Sequence, residues 1–145
     1  MPILAGEIVT ADKLMRLQPK TYDAVGTTTQ TGPLTDVDVT GATVTFNTTA
    51  ANATAVVQAV FDIDYTGATT TLGSGRLNVD GVGESEYAIF RQGSATGGRA
   101  TVAQNYRVTL ASAGSHTLKL THTVPTNCRL QGVYTTLTAT VYEVV

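Results

Sequence analysis

The chain has 145 residues, a formal net charge of −2 and a charged fraction of 14%. This length is typical of one domain with a substantial core and is too short for two ordinary domains. The low charge excludes the basic field that nucleic-acid binding needs, and no apolar run is long enough to cross a bilayer. We therefore expect neither nucleic acid nor a membrane as a partner.

Threonine supplies about a fifth of the residues, and tryptophan is absent. Because β-branched side chains suit the exposed face of a pleated sheet, this composition predicts a high strand content and a lean core. Chains of this kind often gain stability by forming oligomers. Cys128 is the only cysteine, so no internal disulfide is available, and we expect it to be a small, half-buried side chain near the start of a strand.

Residues 1–20 carry the one helical signal. Thr10 suits the N-cap, Asp12 suits the first turn, and Pro19 ends the helix. A helix this short is unstable alone, so it must dock on its own sheet, on a neighbouring subunit or on a larger particle. The candidate attachment and oligomer contacts are Ile3, Leu4, Ile8, Leu14 and Leu17.

Residues 21–145 are predicted to form a single β-domain. We interpret residues 21–38 as a connection with one short edge strand, followed by an alternating strand over residues 42–48. Residues 55–65 form the longest alternating run and are the best candidate for a central strand. The side chains that this run places on one face are Val57, Ala59, Phe61, Ile63 and Tyr65.

Two hairpins are predicted in the second half of the chain. Asp80-Gly81 favours a two-residue turn between residues 76–79 and 82–91, with Tyr87 and Ile89 on one face of the return strand. Residues 100–124 contain two long alternating runs that predict an antiparallel hairpin.

The end of the chain is predicted to form one more strand. Residues 125–132 are interpreted as a connection, and residues 133–145 as a terminal strand. The side chains expected to point inward from it are Val133, Leu137, Ala139 and Val141.

These segments predict an all-β fold, an antiparallel β-sandwich with a short N-terminal helix. No helix separates the strands, which argues against a parallel sheet. A jelly roll is the first choice. An immunoglobulin-like sandwich comes second, because the chain has neither a cysteine pair nor a core tryptophan.

Motifs that carry chemistry are absent: there is no phosphate loop, nucleophile elbow or zinc-protease pattern. His116 and His122 share one face of a strand, but six residues of strand separate them by about 20 Å, which is too far for one metal ion. Asp62 and Asp64 have the spacing of a cation site or a catalytic pair, although a polar sheet face explains them better. We expect no enzyme activity, cofactor or metal.

Four stretches carry a resemblance that spans nearly the whole chain: residues 5–19 (AGEIVTADKLMRLQP), 75–82 (GRLNVDGV), 100–120 (ATVAQNYRVTLASAGSHTLKL) and 133–145 (VYTTLTATVYEVV). They resemble small virion structural proteins of tailed phages that infect actinomycete bacteria. The resemblance implies a capsid decoration, minor tail or fibre protein located in the virion. It also implies a homotrimeric jelly roll, with other capsid or tail proteins as partners.

Two other functions stay open. The first alternative is a carbohydrate-binding module for a host-surface glycan, held by the loops at residues 67–75 and 92–99; its candidate residues are Tyr65, Arg91 and Arg99. The second alternative is a small hydrolase that uses Asp62 and Asp64. The sequence does not distinguish a head from a tail location or fix the symmetry of an oligomer.

Overall fold

Two antiparallel β-sheets pack face to face in the computed structural model, which describes residues 8, 10–68, 72–91 and 98–143. Helix α1 (Ala11–Leu17) precedes the strands. Sheet A contains β1 (Lys20–Val25), β2 (Thr29–Thr31), β4 (Ala53–Tyr65), β8 (Gly98–Leu110), β10 (Cys128–Gln131) and β11 (Thr136–Tyr142). Sheet B contains β3 (Leu34–Thr48), β5 (Gly73–Val79), β6 (Val82–Gly83), β7 (Ala88–Phe90) and β9 (Gly114–Val124).

The strand order identifies a jelly roll. Sheet A has the order β1-β11-β4-β8, and β10 and β2 continue it beside the far end of β4. Sheet B has the order β3-β9-β5, and both β6 and β7 pair with β5. Most connections cross from one sheet to the other, so that neighbours within a sheet are distant in sequence. The predicted all-β sandwich with a short N-terminal helix is confirmed.

β4 is the central strand of sheet A, as predicted. One edge of β4 pairs with β8 over its whole length, and the other edge pairs first with β11 and then with β10. Val57, Ala59, Phe61 and Ile63 point inward from β4 and are fully buried. Burying one such Val, Phe or Ile side chain contributes about 1.5–3 kcal/mol to folding, so this strand supplies a large share of the core.

The predicted hairpin over residues 100–124 is wrong. Both runs are strands, but β8 pairs with β4 in sheet A whereas β9 pairs with β3 and β5 in sheet B. The chain between them therefore crosses the sandwich instead of making a hairpin turn. Alternation shows which face of a strand is apolar, but two apolar faces can meet across a core as well as lie side by side.

The turn at Asp80-Gly81 is confirmed, because both residues have the positive φ angles that this hairpin needs, +51° and +91°. The predicted return strand is only partly formed. β6 pairs with the end of β5 and β7 with its start, and the chain between them leaves the sheet. Tyr87 and Ile89 are both exposed, and the core side chains of this segment are Ala88 and Phe90.

Three short strands were not predicted as such. β1 and β2 lie in the segment interpreted as a connection with one edge strand, and β10 lies in the segment interpreted as a connection. The predicted terminal strand over residues 133–145 is confirmed only for Thr136–Tyr142, with Leu137, Ala139 and Val141 inward as predicted. Val133 is half exposed in a 3-10 turn (Gly132–Tyr134) and does not point inward, and residues 144 and 145 lie outside the described residues. Cys128 begins β10, as predicted, but it is fully buried rather than half-buried.

His122 is a buried core residue of β9, and its side chain is only 1% exposed. Neither ring nitrogen has a hydrogen-bond partner among the described residues. Burial lowers the pKa of His122 from 6.5 to about 4. The fold therefore holds His122 in its neutral form.

We predict that the free energy of unfolding decreases as the pH falls from 6.5 to 4. In this range the unfolded chain binds a proton at His122 that the folded chain does not bind, so acid favours unfolding by up to about 3 kcal/mol. Urea unfolding at pH 7 and pH 4.5 measures the loss. The His122→Leu variant should show a clearly smaller loss over this range, and an equal loss in both proteins would contradict the assignment.

Candidate functional site

Helix α1 forms as predicted, and its large apolar side chains are exposed. The Thr10 hydroxyl accepts a hydrogen bond from the amide of Lys13 at 3.4 Å, and the helix ends two residues before Pro19. Leu14, Met15 and Leu17 are 53%, 67% and 43% exposed. Docking of this helix on its own sheet is therefore not observed.

The other candidate attachment residues lie before the helix. Ile8 is largely exposed, whereas Ile3 and Leu4 lie outside the described residues. The described part of the N-terminal segment thus presents apolar side chains to solvent.

The structure brings together the three candidate glycan residues. Tyr65, Arg91 and Arg99 line one recess of about 120 Å³ at an end of the sandwich, together with Gly98 and Ala100. Tyr65 ends β4 and pairs with Gly98 at the start of β8, while Arg91 directly follows β7. A recess of this size accommodates one carboxylate or a few water molecules but not a whole sugar ring.

Arg99 is already bound within this site. Its Nε donates a hydrogen bond to Oδ1 of Asp62 at 2.6 Å, and this bond raises the pKa of Arg99. The guanidinium carbon also lies 4.2 Å from the ring centroid of Tyr134, which is a cation–π distance. Arg91 has no carboxylate partner among the described residues, so it is the cation of this recess that is available to an anionic ligand.

Asp62 and Asp64 lie on the outer side of β4, as predicted, but each forms its own ion pair. Asp62 is nearly buried and accepts hydrogen bonds from Arg99 and from the hydroxyl of Thr101 at 3.0 Å. Asp64 accepts from Nε of Arg129 at 2.8 Å. The described residues contain no group of three side chains suited to hold a metal ion. These contacts join β4 to β8 on one edge and to β10 on the other.

We predict that Asp62→Asn destabilises the protein more than Asp64→Asn. Asp62 is the more buried carboxylate and accepts hydrogen bonds from both Arg99 and Thr101, so its replacement by an amide disturbs more contacts that are shielded from water. The more exposed Asp64 pair should contribute less, about 1 kcal/mol or below. Urea unfolding of the two variants at neutral pH measures the difference, and a larger loss for Asp64→Asn would contradict this order.

His116 holds two loops together. Its Nδ1 lies 2.7 Å from Oδ2 of Asp80, and its Nε2 lies 3.1 Å from the carbonyl oxygen of Ser112. Burial opposes the ionisation of Asp80, but hydrogen bonds from His116 and from the amide of Thr117 outweigh it and hold the pKa of this carboxyl below its usual value. These contacts give His116 a structural role. His116 and His122 do not lie at a shared site.

A larger groove of about 420 Å³ lies on the outer face of sheet A and was not expected from the sequence. It is lined by Thr54 and Val56 of β4, Arg107 of β8 and Tyr142 of β11. Only the register of three strands brings these residues together, so no local sequence signal points to them. Among the described residues, no helix is long and apolar enough to cross a membrane.

No sequence-family model matches the chain, and no curated protein matches it. Among solved structures, the dimeric latent PorU of Porphyromonas gingivalis is matched at a TM-score of 0.49 and 13% identity, over 86% of this chain and 13% of that chain. Murine APRIL is matched at 0.46 and 10% identity, over 87% of this chain and 100% of that chain.

A viral structure is also similar. The structure of the Gt strain of infectious bursal disease virus is matched at a TM-score of 0.45 and 11% identity, over 100% of this chain and 42% of that chain. At these identities the likenesses concern the fold alone.

Proposed function

We propose that this chain is a non-enzymatic structural protein of a tailed-phage virion, a capsid decoration or tail component that assembles as a homotrimer on the particle surface. The observation that carries the proposal is helix α1, which exposes Leu14, Met15 and Leu17 outside a well-packed sandwich. The resemblance of the sequence to virion proteins of actinomycete phages supports it. The proposal involves no cofactor.

The physical argument for attachment through α1 rests on its length. A helix of seven residues is marginal in water even with a good cap, because nucleation costs more than so few hydrogen bonds return. Leu14, Met15 and Leu17 are about half exposed, so burying the rest of each side chain against another protein would contribute about 1 kcal/mol per residue. We therefore propose that the exposed Leu and Met side chains of α1 form the contact with the virion. The partner is another capsid or tail protein.

We predict that the double variant Leu14→Glu, Leu17→Glu keeps its fold but no longer binds the particle. Charged side chains at these positions would have to be buried without partners in the contact. Co-sedimentation with particles assembled without the protein measures binding, and thermal unfolding checks the fold.

The matched control is Gln18→Glu, which adds a charge beside the helix without removing an apolar side chain. It should bind like the unchanged protein. Binding of the double variant at unchanged affinity would overturn attachment through α1, and failure of the unchanged protein to bind any such particle would overturn the virion role.

A second candidate function is the binding of a host-surface glycan. The specific observation in its favour is that Tyr65, Arg91 and Arg99 line a single recess, although they come from three separate parts of the chain. The recess has room for one carboxylate, and the Arg91 guanidinium can bind it through charge-assisted hydrogen bonds. We therefore favour the carboxylate of an acidic sugar as the bound group. The rest of the sugar would lie outside the recess.

We predict that Arg91→Ala weakens binding of an acidic glycan by about tenfold, the loss expected for one charge-assisted hydrogen bond. A glycan array identifies the ligand, and titration calorimetry measures its affinity for the variant. Lys119→Ala is the control, since it removes an equal charge from the outer face of sheet B. An array without hits would remove this second candidate.

A further inference from the structure

The outer face of sheet A has a centre without charged side chains, which we call the uncharged face. Strand register places its residues in rows, because residues paired across antiparallel strands point to the same side of the sheet. The residues of the uncharged face on the two inner strands are Val56, Gln58 and Val60 of β4 and Thr136, Thr138 and Thr140 of β11. The core of a protein–protein interface is likewise depleted of charge.

Two charged side chains stand on opposite edges of this face. Asp23 of β1 is in the row of Thr138, and Arg107 of β8 is in the adjacent row, directly opposite Val56. Three strand spacings and one row separate them, a distance of about 15 Å. They therefore cannot form an ion pair within one chain.

Neither Asp23 nor Arg107 has an ionic partner among the described residues. For Arg107 this is unusual among the cations of the sandwich. The other cations are mostly paired, as Lys20–Glu143, Arg76–Asp36, Arg99–Asp62, Lys119–Asp38 and Arg129–Asp64. Arg107 instead lies at the open groove with Val56 and Tyr142. The face thus carries one uncompensated charge of each sign.

Apolar side chains accompany the charges. Val25 on β1, Val56 on β4 and Tyr142 on β11 are all exposed on this side of the sheet. The outer face of sheet B differs, because the ion pairs Asp36–Arg76 and Asp38–Lys119 cover it. Of the two outer faces, that of sheet A is the one with apolar surface at its centre and unpaired charges at its edges.

We propose that copies of this chain associate through the uncharged face, with Asp23 of one copy paired to Arg107 of the next. The inference rests on the proposed homo-oligomeric virion role and assigns the surface that builds it. Another copy of this chain can pair with the charges at both edges, because each copy supplies one carboxylate, Asp23, and one guanidinium, Arg107. A small acidic ligand in the groove would satisfy Arg107 and leave Asp23 unpaired.

The width of the face suits a ring of three. Four strands about 4.8 Å apart give a face about 19 Å wide, and three such faces around an axis lie about 5–6 Å from it. Two sheets packed face to face are about 10 Å apart, so the side chains of one sheet fill about 5 Å. In a ring of three, the Val and Thr side chains therefore meet at the axis, and the β1 edge of one copy lies beside the β8 edge of the next.

Charge reversal tests the contact. Light scattering after size exclusion is carried out over a range of concentrations on the full chain, on Asp23→Arg, on Arg107→Asp and on the double variant. We expect the unchanged chain to have three times the 15.1 kDa mass of one copy. Each single reversal places like charges together and should weaken association by at least about tenfold, and the double reversal should restore it. The control is Glu86→Arg, a reversal away from the uncharged face, which should keep the mass of the unchanged chain.

Three results would overturn the inference: an unchanged chain that is a monomer at its highest soluble concentration, single reversals that keep its mass, or a double reversal no better than the single ones. Arg107-dependent binding of an acidic glycan by a monomer would assign the groove to that ligand instead. Thermal unfolding of each variant separates loss of contact from loss of fold. Attachment to the particle is tested separately, by co-sedimentation of the α1 variant. A failure of association through the uncharged face can therefore be distinguished from a failure of the virion role.

Discussion

The pairing of β4 on both edges is the constraint on which the sandwich depends. All 13 of its residues pair with β8, and its other edge is shared by β11 and β10. Its inward side chains are fully buried against sheet B, so a single strand fixes the register of sheet A and contributes much of the core. Every position on the outer side of the sheet follows from that register.

The same register decides which charges meet on the outer face of sheet A. At one end of β4, Asp62 lies beside Arg99 of β8 and Asp64 beside Arg129 of β10, so these charges are compensated within the chain. At the other end Arg107 lies beside Val56, and none of the described carboxylates contacts it. One end of the face is thus closed by ion pairs, whereas the other end is suited to contact with another molecule.

The sandwich and helix α1 have different roles in the proposed function. The sandwich buries a hydrophobic core and pairs most of its charges within the chain, which suits a rigid building block. Helix α1 instead exposes apolar side chains, which we propose to contact another virion protein. Assembly through a sheet face and attachment through a helix use separate surfaces, and a structural protein on a particle needs both kinds of contact.

Features that depend on neighbouring residues were predictable from the sequence. The cap at Thr10 and the stop near Pro19 define α1, Asp80-Gly81 defines a turn, and the alternation of residues 55–65 defines the inward face of β4. Each of these follows from backbone conformation or side-chain direction over a few residues. The grouping of Tyr65, Arg91 and Arg99 near one end of the sheet could also be anticipated, because the loops that flank strands cluster at the ends of a sandwich.

Tertiary structure alone decided which strands became neighbours. The two strands in residues 100–124 have the alternation of a hairpin, yet the sandwich places them in opposite sheets, where their apolar faces enclose the core. The short strands β1, β2 and β10 are held mainly by backbone hydrogen bonds to partners far along the chain, which leave little trace in side-chain pattern. The groove at Arg107 has the same origin. Its residues lie on three strands, and only long-range pairing brings them together.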